Sequence, residues 1–171
     1  GHTLIMGRPG SGKSVLSAFL MTQARRAGAR IFVFDYRLGM EMAVRANGGS
    51  YAALKAGQAT GLNPLWTEVD NRGTAWLSDW LGTLLYRADK PLTPVQTNRI
   101  QEVVRQNANA TDPALRNWKD FASLFVSTDD GGDLHQRLLE WTSDGRYGWI
   151  FGQSLEDTFS LEGDVVGFDL T

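Results

Sequence analysis

A glycine-rich stretch near the start of the chain has the residue types and the spacing needed to bind phosphate. It reads Gly7-Arg8-Pro9-Gly10-Ser11-Gly12-Lys13-Ser14 and matches the pattern G-x-x-x-x-G-K-[ST]. Glycines allow the backbone to curl so that successive amide N–H groups point inward, where a β-carbon would obstruct an anion. The sequence therefore predicts that these eight residues form a loop around the phosphate chain of a nucleotide.

Two side chains of this loop have predicted chemical roles. Lys13 would bridge the β- and γ-phosphates as the catalytic residue, and the Ser14 hydroxyl would be a ligand of Mg²⁺. A helix that begins near Lys13 would add the positive end of its dipole to the site. The predicted cofactors are therefore ATP and Mg²⁺.

The elements around the loop have the order that such a site requires. His2–Met6 is a short apolar run and is predicted to be a buried central strand. Residues 13–27 carry apolar side chains at helical spacing, and Gly28 is a plausible helix end. A second buried strand is predicted over residues 31–34, ending at Asp35. Strand, helix and strand within 35 residues indicate a βαβ unit, a parallel sheet and an α/β fold.

Two shorter elements and a loop are predicted next. A helix over residues 39–47 would pair Glu41 with Arg45, four residues apart. Residues 50–54 could form a brief strand, and residues 57–64 have no hydrophobic period, which is typical of an ordered loop.

The middle of the chain, residues 66–145, is predicted to be a helical insertion. Thr93-Pro94-Val95-Gln96 has the form of a capping box with proline at the first helical position. Asn117 and Asp133 are predicted to cap two further helices, and residues 164–170 are strand-like. Four tryptophans on apolar stripes are predicted core residues: Trp76, Trp80, Trp118 and Trp141.

Length and composition exclude several classes of protein. The 171 residues, 42% of them hydrophobic and 21% charged, fit one globular domain. We divide it into a nucleotide-binding part (1–65), the helical insertion (66–145) and a return to the sheet (146–171). The net charge of −2 gives no whole-chain argument for nucleic-acid binding, and the lack of cysteine excludes disulfides and thiolate zinc sites.

Other polar residues near the strands have weaker predicted roles. Asp35 could orient magnesium or hold a turn, and Arg37 could reach a phosphate or a neighbouring subunit. Two strands end in aspartate, at Asp35 and Asp169, but Tyr36 and Leu170 follow them instead of an acid. We therefore find no complete Walker B element and no acid placed to activate water.

Several segments, in order along nearly the whole chain, resemble one family. They are the run into the loop and residues 30–35, the Gly-Gly-x-Tyr element at 48–51, Gly-Leu-Asn-Pro-Leu at 61–65, residues 137–141 and 145–151, and Val-Val-Gly-Phe-Asp-Leu-Thr at 165–171. This pattern is similar to that of the conjugal-transfer and type IV secretion ATPases of the TrbE/CagE/VirB type. The segments at 61–65 and 165–171 are more specific to this family than the phosphate-loop pattern alone.

The resemblance implies a RecA-like motor domain that hydrolyses ATP at the cytoplasmic face of a bacterial inner membrane and energises channel assembly and substrate export. It implies a homo-oligomer, often a hexamer, with other secretion components as partners, peripheral membrane contact, and nucleic-acid contact left open. The family's Walker A roles transfer to Gly7, Gly10, Gly12, Lys13 and Ser14. Its Walker B acids lie after the 165–171 segment. We therefore expect a piece of a longer protein that binds nucleotide and hydrolyses it poorly.

Three alternatives stay open at this point. A small-molecule kinase fits the loop and the chain length, but no arginine-rich lid segment is present to clamp a second substrate. A DNA-translocating coupling-protein ATPase would share the same motor superfamily. A degenerate scaffolding domain would not bind nucleotide.

Overall fold

A computed structural model describes residues 2–126, 130–151 and 161–171 of the chain. The chain divides into two compact units, each with its own hydrophobic core. The first unit comprises Gly1–Lys55 with Ser160–Thr171, and the second comprises Ala56–Phe159. The functional division at residues 65 and 145 stays a prediction.

The first unit contains a three-stranded parallel sheet. Its strands are β1 (Ile31–Asp35), β2 (Ser50–Ala53) and β3 (Val165–Asp169), in the spatial order β1-β3-β2. Asp35 and Asp169 are register partners, so β1 and β3 end side by side. The predicted α/β fold with a parallel sheet is confirmed.

Two helices accompany this sheet, α1 (Lys13–Arg26) and α2 (Glu41–Ala46). Their core against one face of the sheet contains Met21, Val44, Tyr51 and Val165. The predicted pair on α2 is formed, since Nε of Arg45 lies 2.9 Å from Oε1 of Glu41.

The other face of β1 is open. Phe32 is 46% exposed and Phe34 is 71% exposed, while the residues that alternate with them, Ile31, Val33 and Asp35, are half-buried. The prediction of a fully buried second strand is therefore wrong: β1 alternates between a covered and an uncovered face. An apolar run has the same appearance whether one face or both faces are packed, because composition does not record what covers each face.

The predicted strand at His2–Met6 is also wrong. The structure has no strand there, and Leu4 and Met6 are 82% and 80% exposed. A strand persists only when its backbone groups pair with a neighbour, and the described ladders join β3 to β1 and β2 alone. The apolar composition of residues 2–6 predicts a strand, but it does not show which other strand would pair with it.

The second unit is helical. Its helices are α3 (Asn71–Leu84), α4 (Pro94–Ala108), α5 (Trp118–Ser123) and α6 (Asp133–Leu139), with short 3₁₀ helices at Pro64–Trp66 and Pro113–Leu115. Among the residues that the structure describes, no helix is both long enough and apolar enough to cross a bilayer.

Aromatic rings form much of the core of this unit. Trp118 is fully buried and stacks on Phe151 with the ring centroids 4.8 Å apart. Trp80 and Trp141 are partly buried against the same core. Trp76 differs from its prediction, because it is 50% exposed and stacks on the outer side of Trp80. Trp76 and Trp80 are one helical turn apart on α3, and Trp80 packs against the core while Trp76 lies at the border of the packed stripe.

The predicted helix starts are largely as expected. Thr93 and Gln96 form both hydrogen bonds of the capping box, and the side chain of Asn117 caps α5. Asp133 was predicted to be a cap, but Gly132 occupies that position with φ 80° and Asp133 is the first helical residue. Ion pairs with Lys90 and Arg137 occupy the Asp133 carboxylate instead.

Candidate functional site

The glycine-rich stretch forms a tight turn directly in front of α1. The amide of Ser11 donates to the carbonyl of Arg8 at 3.1 Å, and α1 begins at Lys13. Gly10 and Gly12 have φ values of 80° and 84°, in the left-handed region that a side chain would strain. The backbone at these two positions therefore requires glycine.

Gly7 has no left-handed backbone angle, and the Ser11 side chain packs against it. A β-carbon at this position would lie 2.4 Å from Oγ of Ser11. Residues 7–12 are exposed, so the curled backbone is accessible from solvent. The three glycines thus give a compact loop whose backbone is not covered by side chains of its own glycine positions.

Lys13 folds back over this loop. Its Nζ donates to the carbonyl of Gly7 at 2.8 Å and to that of Arg8 at 3.0 Å. The ammonium group therefore lies at the mouth of the turn, where a phosphate could exchange with the two carbonyls. Ser14 is exposed in the first turn of α1, and its hydroxyl has no hydrogen-bond partner within the described residues.

The electrostatics of this helix end favour an anion. The first turn of α1 contains no acidic residue, so its free amide groups and the Lys13 charge act in the same direction. α1 ends at Arg26, a few residues before β1 starts, so a helix that runs back along β1 is expected to begin toward the edge where β1 and β3 end. Ligands of open α/β sheets bind at this carboxyl edge.

Asp35 lies at this edge, and its carboxylate is fully engaged. It accepts from the Met40 amide at 2.6 Å, the Tyr51 hydroxyl at 2.7 Å and the Tyr36 amide at 2.8 Å. Burial alone would raise the pKa of Asp35, but these three hydrogen bonds hold it below its usual value. This geometry favours the turn-holding interpretation of Asp35 over magnesium binding.

The turn after β1 has an unusual backbone. Arg37 and Leu38 are consecutive residues with φ values of 63° and 56°, and neither is glycine. Each left-handed non-glycine residue costs about 1 kcal/mol. The Leu38 amide donates to Oδ1 of Asp169 at 3.2 Å, and the Arg37 amide donates to the Thr171 hydroxyl at 2.7 Å. Sequence reasoning gave these anchoring residues no role, because their hydrogen bonds join segments more than 130 residues apart.

Comparison with known proteins identifies relatives of the whole chain, although no family model matches it. The type IV secretion system protein virB4 of Bartonella henselae is 30% identical over 172 residues, covering 100% of this chain. PtlC of Bordetella pertussis is 30% identical over 163 residues, covering 88% of it. The chain is related to the VirB4-type proteins of type IV secretion systems. It spans about a fifth of the length of these relatives, 22% and 20% respectively.

A solved structure gives the same fold. VirB4 of Thermoanaerobacter pseudethanolicus superimposes with a TM-score of 0.61, covering 95% of this chain and 48% of that one at 18% identity. The similarity to VirB4 therefore extends to the fold, with the parallel sheet and the helices around it. It agrees with the resemblance found in the sequence.

The predicted site residues fall into two groups in this chain. The eight residues from Gly7 to Ser14 form one continuous turn and helix start, whereas Asp35 is committed to the turn after β1. Among the described residues, no group of three acids or histidines is arranged to hold a metal. The hydroxyl of Ser14, completed by phosphate oxygens and water, is still a donor set that suits Mg²⁺.

Proposed function

We propose that this chain is the nucleotide-binding part of a VirB4-type secretion ATPase and that residues 7–14 hold Mg·ATP. The observation that carries the proposal is the position of the Lys13 ammonium over a curled glycine turn at the start of α1. The similarity to virB4 of Bartonella henselae, which extends over the whole of this chain, supports the same conclusion.

Each residue of the loop would contribute in a distinct way. Amides of the turn and of the first turn of α1 would donate to phosphate oxygens. Lys13 would exchange its two carbonyl partners for the β- and γ-phosphates, and the Ser14 hydroxyl would supply a ligand to Mg²⁺. Bound Mg·ATP would supply the phosphoryl group whose transfer to water drives the motor.

Titration of the 171-residue chain with a fluorescent ATP analogue in the presence of Mg²⁺ tests this function. We expect saturable binding in the micromolar range, weakened at least about tenfold by Lys13→Ala. The matched control is Lys55→Ala, because Lys55 is an exposed lysine of the same unit beyond the end of β2. Binding that is absent, or equally weakened by both variants, would contradict the proposal.

Roles of the longer protein belong to the same proposal. We infer a homo-oligomer, such as a hexamer, that acts with other secretion components at the inner face of the bacterial inner membrane. We expect this chain alone to bind ATP with little turnover, because no acid follows Asp35 or Asp169. A longer version of the protein that includes the sequence following Thr171 should restore hydrolysis.

Two assays separate the alternatives. Turnover of nucleoside monophosphates or small hydroxyl acceptors in a coupled assay would favour a small-molecule kinase. DNA-stimulated hydrolysis by the longer protein would favour a coupling-protein ATPase. We expect neither result, since the relatives of this chain are type IV secretion proteins of the VirB4 and PtlC kind.

A further inference from the structure

The turn at Arg37 and Leu38 is held in its strained form by two residues at and just beyond the end of β3. The Arg37 amide donates to the Thr171 hydroxyl, which itself donates to Oδ1 of Asp169 at 2.8 Å. Oδ1 of Asp169 also accepts from the Leu38 amide, and Asp169 is buried, with only 4% of its surface exposed. The backbone at Arg37 is therefore fixed on both sides by hydrogen bonds to anchored groups.

The side chain of Arg37 makes no polar contact with the described residues. Across the described ranges, the Arg37 guanidinium makes neither an ion pair nor a hydrogen bond, and its Cζ lies over the Tyr36 ring, 5.2 Å from the ring centroid. Tyr36 is itself 63% exposed. An arginine that serves only solubility needs no strained backbone, since any exposed helix or loop position would display it equally well. Backbone strain held by over-determined contacts is characteristic of functional positions.

The position of this arginine suggests its ligand. Arg37 follows the end of β1, and only residues 27–30 separate α1 from the start of β1, so the loop in front of α1 is expected toward the same edge of the sheet. A guanidinium is well suited to bind phosphate because its planar fork matches two phosphate oxygens. We propose that Arg37 contacts the terminal phosphate of the nucleotide bound at residues 7–14 of the same chain. This inference rests on the proposed function and adds a means of distinguishing ATP from ADP.

The test compares affinities for fluorescent ATP and ADP analogues with Mg²⁺. We expect Arg37→Ala to weaken ATP binding about tenfold and ADP binding less than twofold, with Arg37→Lys between Arg37→Ala and the unmodified chain. Thr171→Val keeps the arginine but removes the acceptor of its amide, and it should weaken ATP binding several-fold without affecting ADP. The control is Arg26→Ala, which removes an exposed charge at the opposite end of α1.

Each result has a definite meaning. An unchanged ratio of ATP to ADP affinity in Arg37→Ala, with binding still lost in Lys13→Ala, would overturn the role of Arg37 and leave the proposed function intact. Equal loss of ATP and ADP would also overturn it, since the contact would then be to a shared phosphate. Recovery of ATP binding on mixing Arg37→Ala with Lys13→Ala chains would overturn the same-chain assignment. No binding of either nucleotide by the unmodified chain would overturn both proposals.

Discussion

Tyr51 reaches across the central strand of the sheet to Asp35, and its hydroxyl lies 2.7 Å from Oδ2 of the carboxylate. Tyr51 is on β2 and Asp35 ends β1, with β3 between them. The register partner of Tyr51 on β3 is Gly167, where a β-carbon would lie 2.4 Å from Cδ2 of the ring. Glycine at this position therefore lets the ring pass over β3 and brace the turn beside the candidate site.

Gly167→Ala should disrupt this arrangement. The new methyl group would displace the Tyr51 ring and break its hydrogen bond to Asp35, at a cost of about 1–3 kcal/mol. We expect the amides of β1 and β3 to exchange with deuterium roughly tenfold faster in mass-spectrometric measurements. Gly163→Ala is the control, because its β-carbon would have no neighbour closer than 3.5 Å. Equal exchange in both variants would contradict the bracing role of Tyr51.

The two glycines of α3 should respond to alanine with opposite signs. A β-carbon at Gly73 would lie 1.9 Å from the carbonyl oxygen of Glu68, whereas one at Gly82 has nothing within 4 Å. Gly73→Ala should lower the free energy of unfolding by about 2 kcal/mol, and Gly82→Ala should raise it by about 0.5–1 kcal/mol. Urea unfolding followed by tryptophan fluorescence measures this, since all six tryptophans lie between residues 56 and 159. A rise in the free energy of unfolding for Gly73→Ala would show that the Glu68 contact is not rigid, and a fall for Gly82→Ala would contradict the open space at Gly82.

Arg137 is a buried cation whose loss should be costly. It is 2% exposed and donates to the carbonyls of Leu85 at 2.7 Å and Lys90 at 2.8 Å, with Asp133 2.8 Å away. Arg137→Met would leave these acceptors buried without their donor, which costs about 3–5 kcal/mol. The same urea experiment measures the loss. Arg105→Met, at an exposed position on α4, should change the free energy of unfolding by less than about 0.5 kcal/mol.

The same cluster predicts a dependence of stability on pH. Burial alone would raise the pKa of Asp133, but hydrogen bonds from Lys90, Gln96 and Arg137 lower it from 3.8 to about 2. A lowered pKa stabilises the fold above pH 4, and this contribution is lost as the pH falls from about 4 towards 2. In total it amounts to about 2 kcal/mol, of which about half is lost between pH 5 and pH 3.

Asp133→Asn should therefore make the loss of stability between pH 5 and pH 3 smaller by about 1 kcal/mol. Urea midpoints at a series of pH values provide the measurement. Asp79→Asn, which removes an exposed carboxylate of α3, should leave the slope unchanged. A pH slope in Asp133→Asn that matches that of the original chain would contradict the lowered pKa.

Sequence reasoning succeeded where the cause of a structure is local. The capping box at Thr93 and Gln96 depends only on neighbouring residues, and it is present. It failed where the cause is distant. Nothing in His2–Met6 records which strand would pair with it, and a single arginine on a helix, such as Arg137, resembles a solvated charge until its buried acceptors are known.

The candidate site likewise has one part that its local sequence predicts and one part that depends on distant residues. The loop of residues 7–14 was predicted from its own glycines, and its left-handed angles at Gly10 and Gly12 follow from those glycines. The strained turn at Arg37 and Leu38 could not be predicted, because residues with side chains rarely adopt it without outside support. That support comes from Asp169 and Thr171, at the far end of the chain.

The uncovered face of β1 affects how the isolated chain can be handled. Phe32 and Phe34 place two aromatic rings in water on a strand whose described ladder uses one edge only. Such a strand is a template for intermolecular pairing, so concentrated samples will tend to precipitate. Phe34→Lys would place a charge on this strand, which would oppose such pairing and keep the material in solution for spectroscopy.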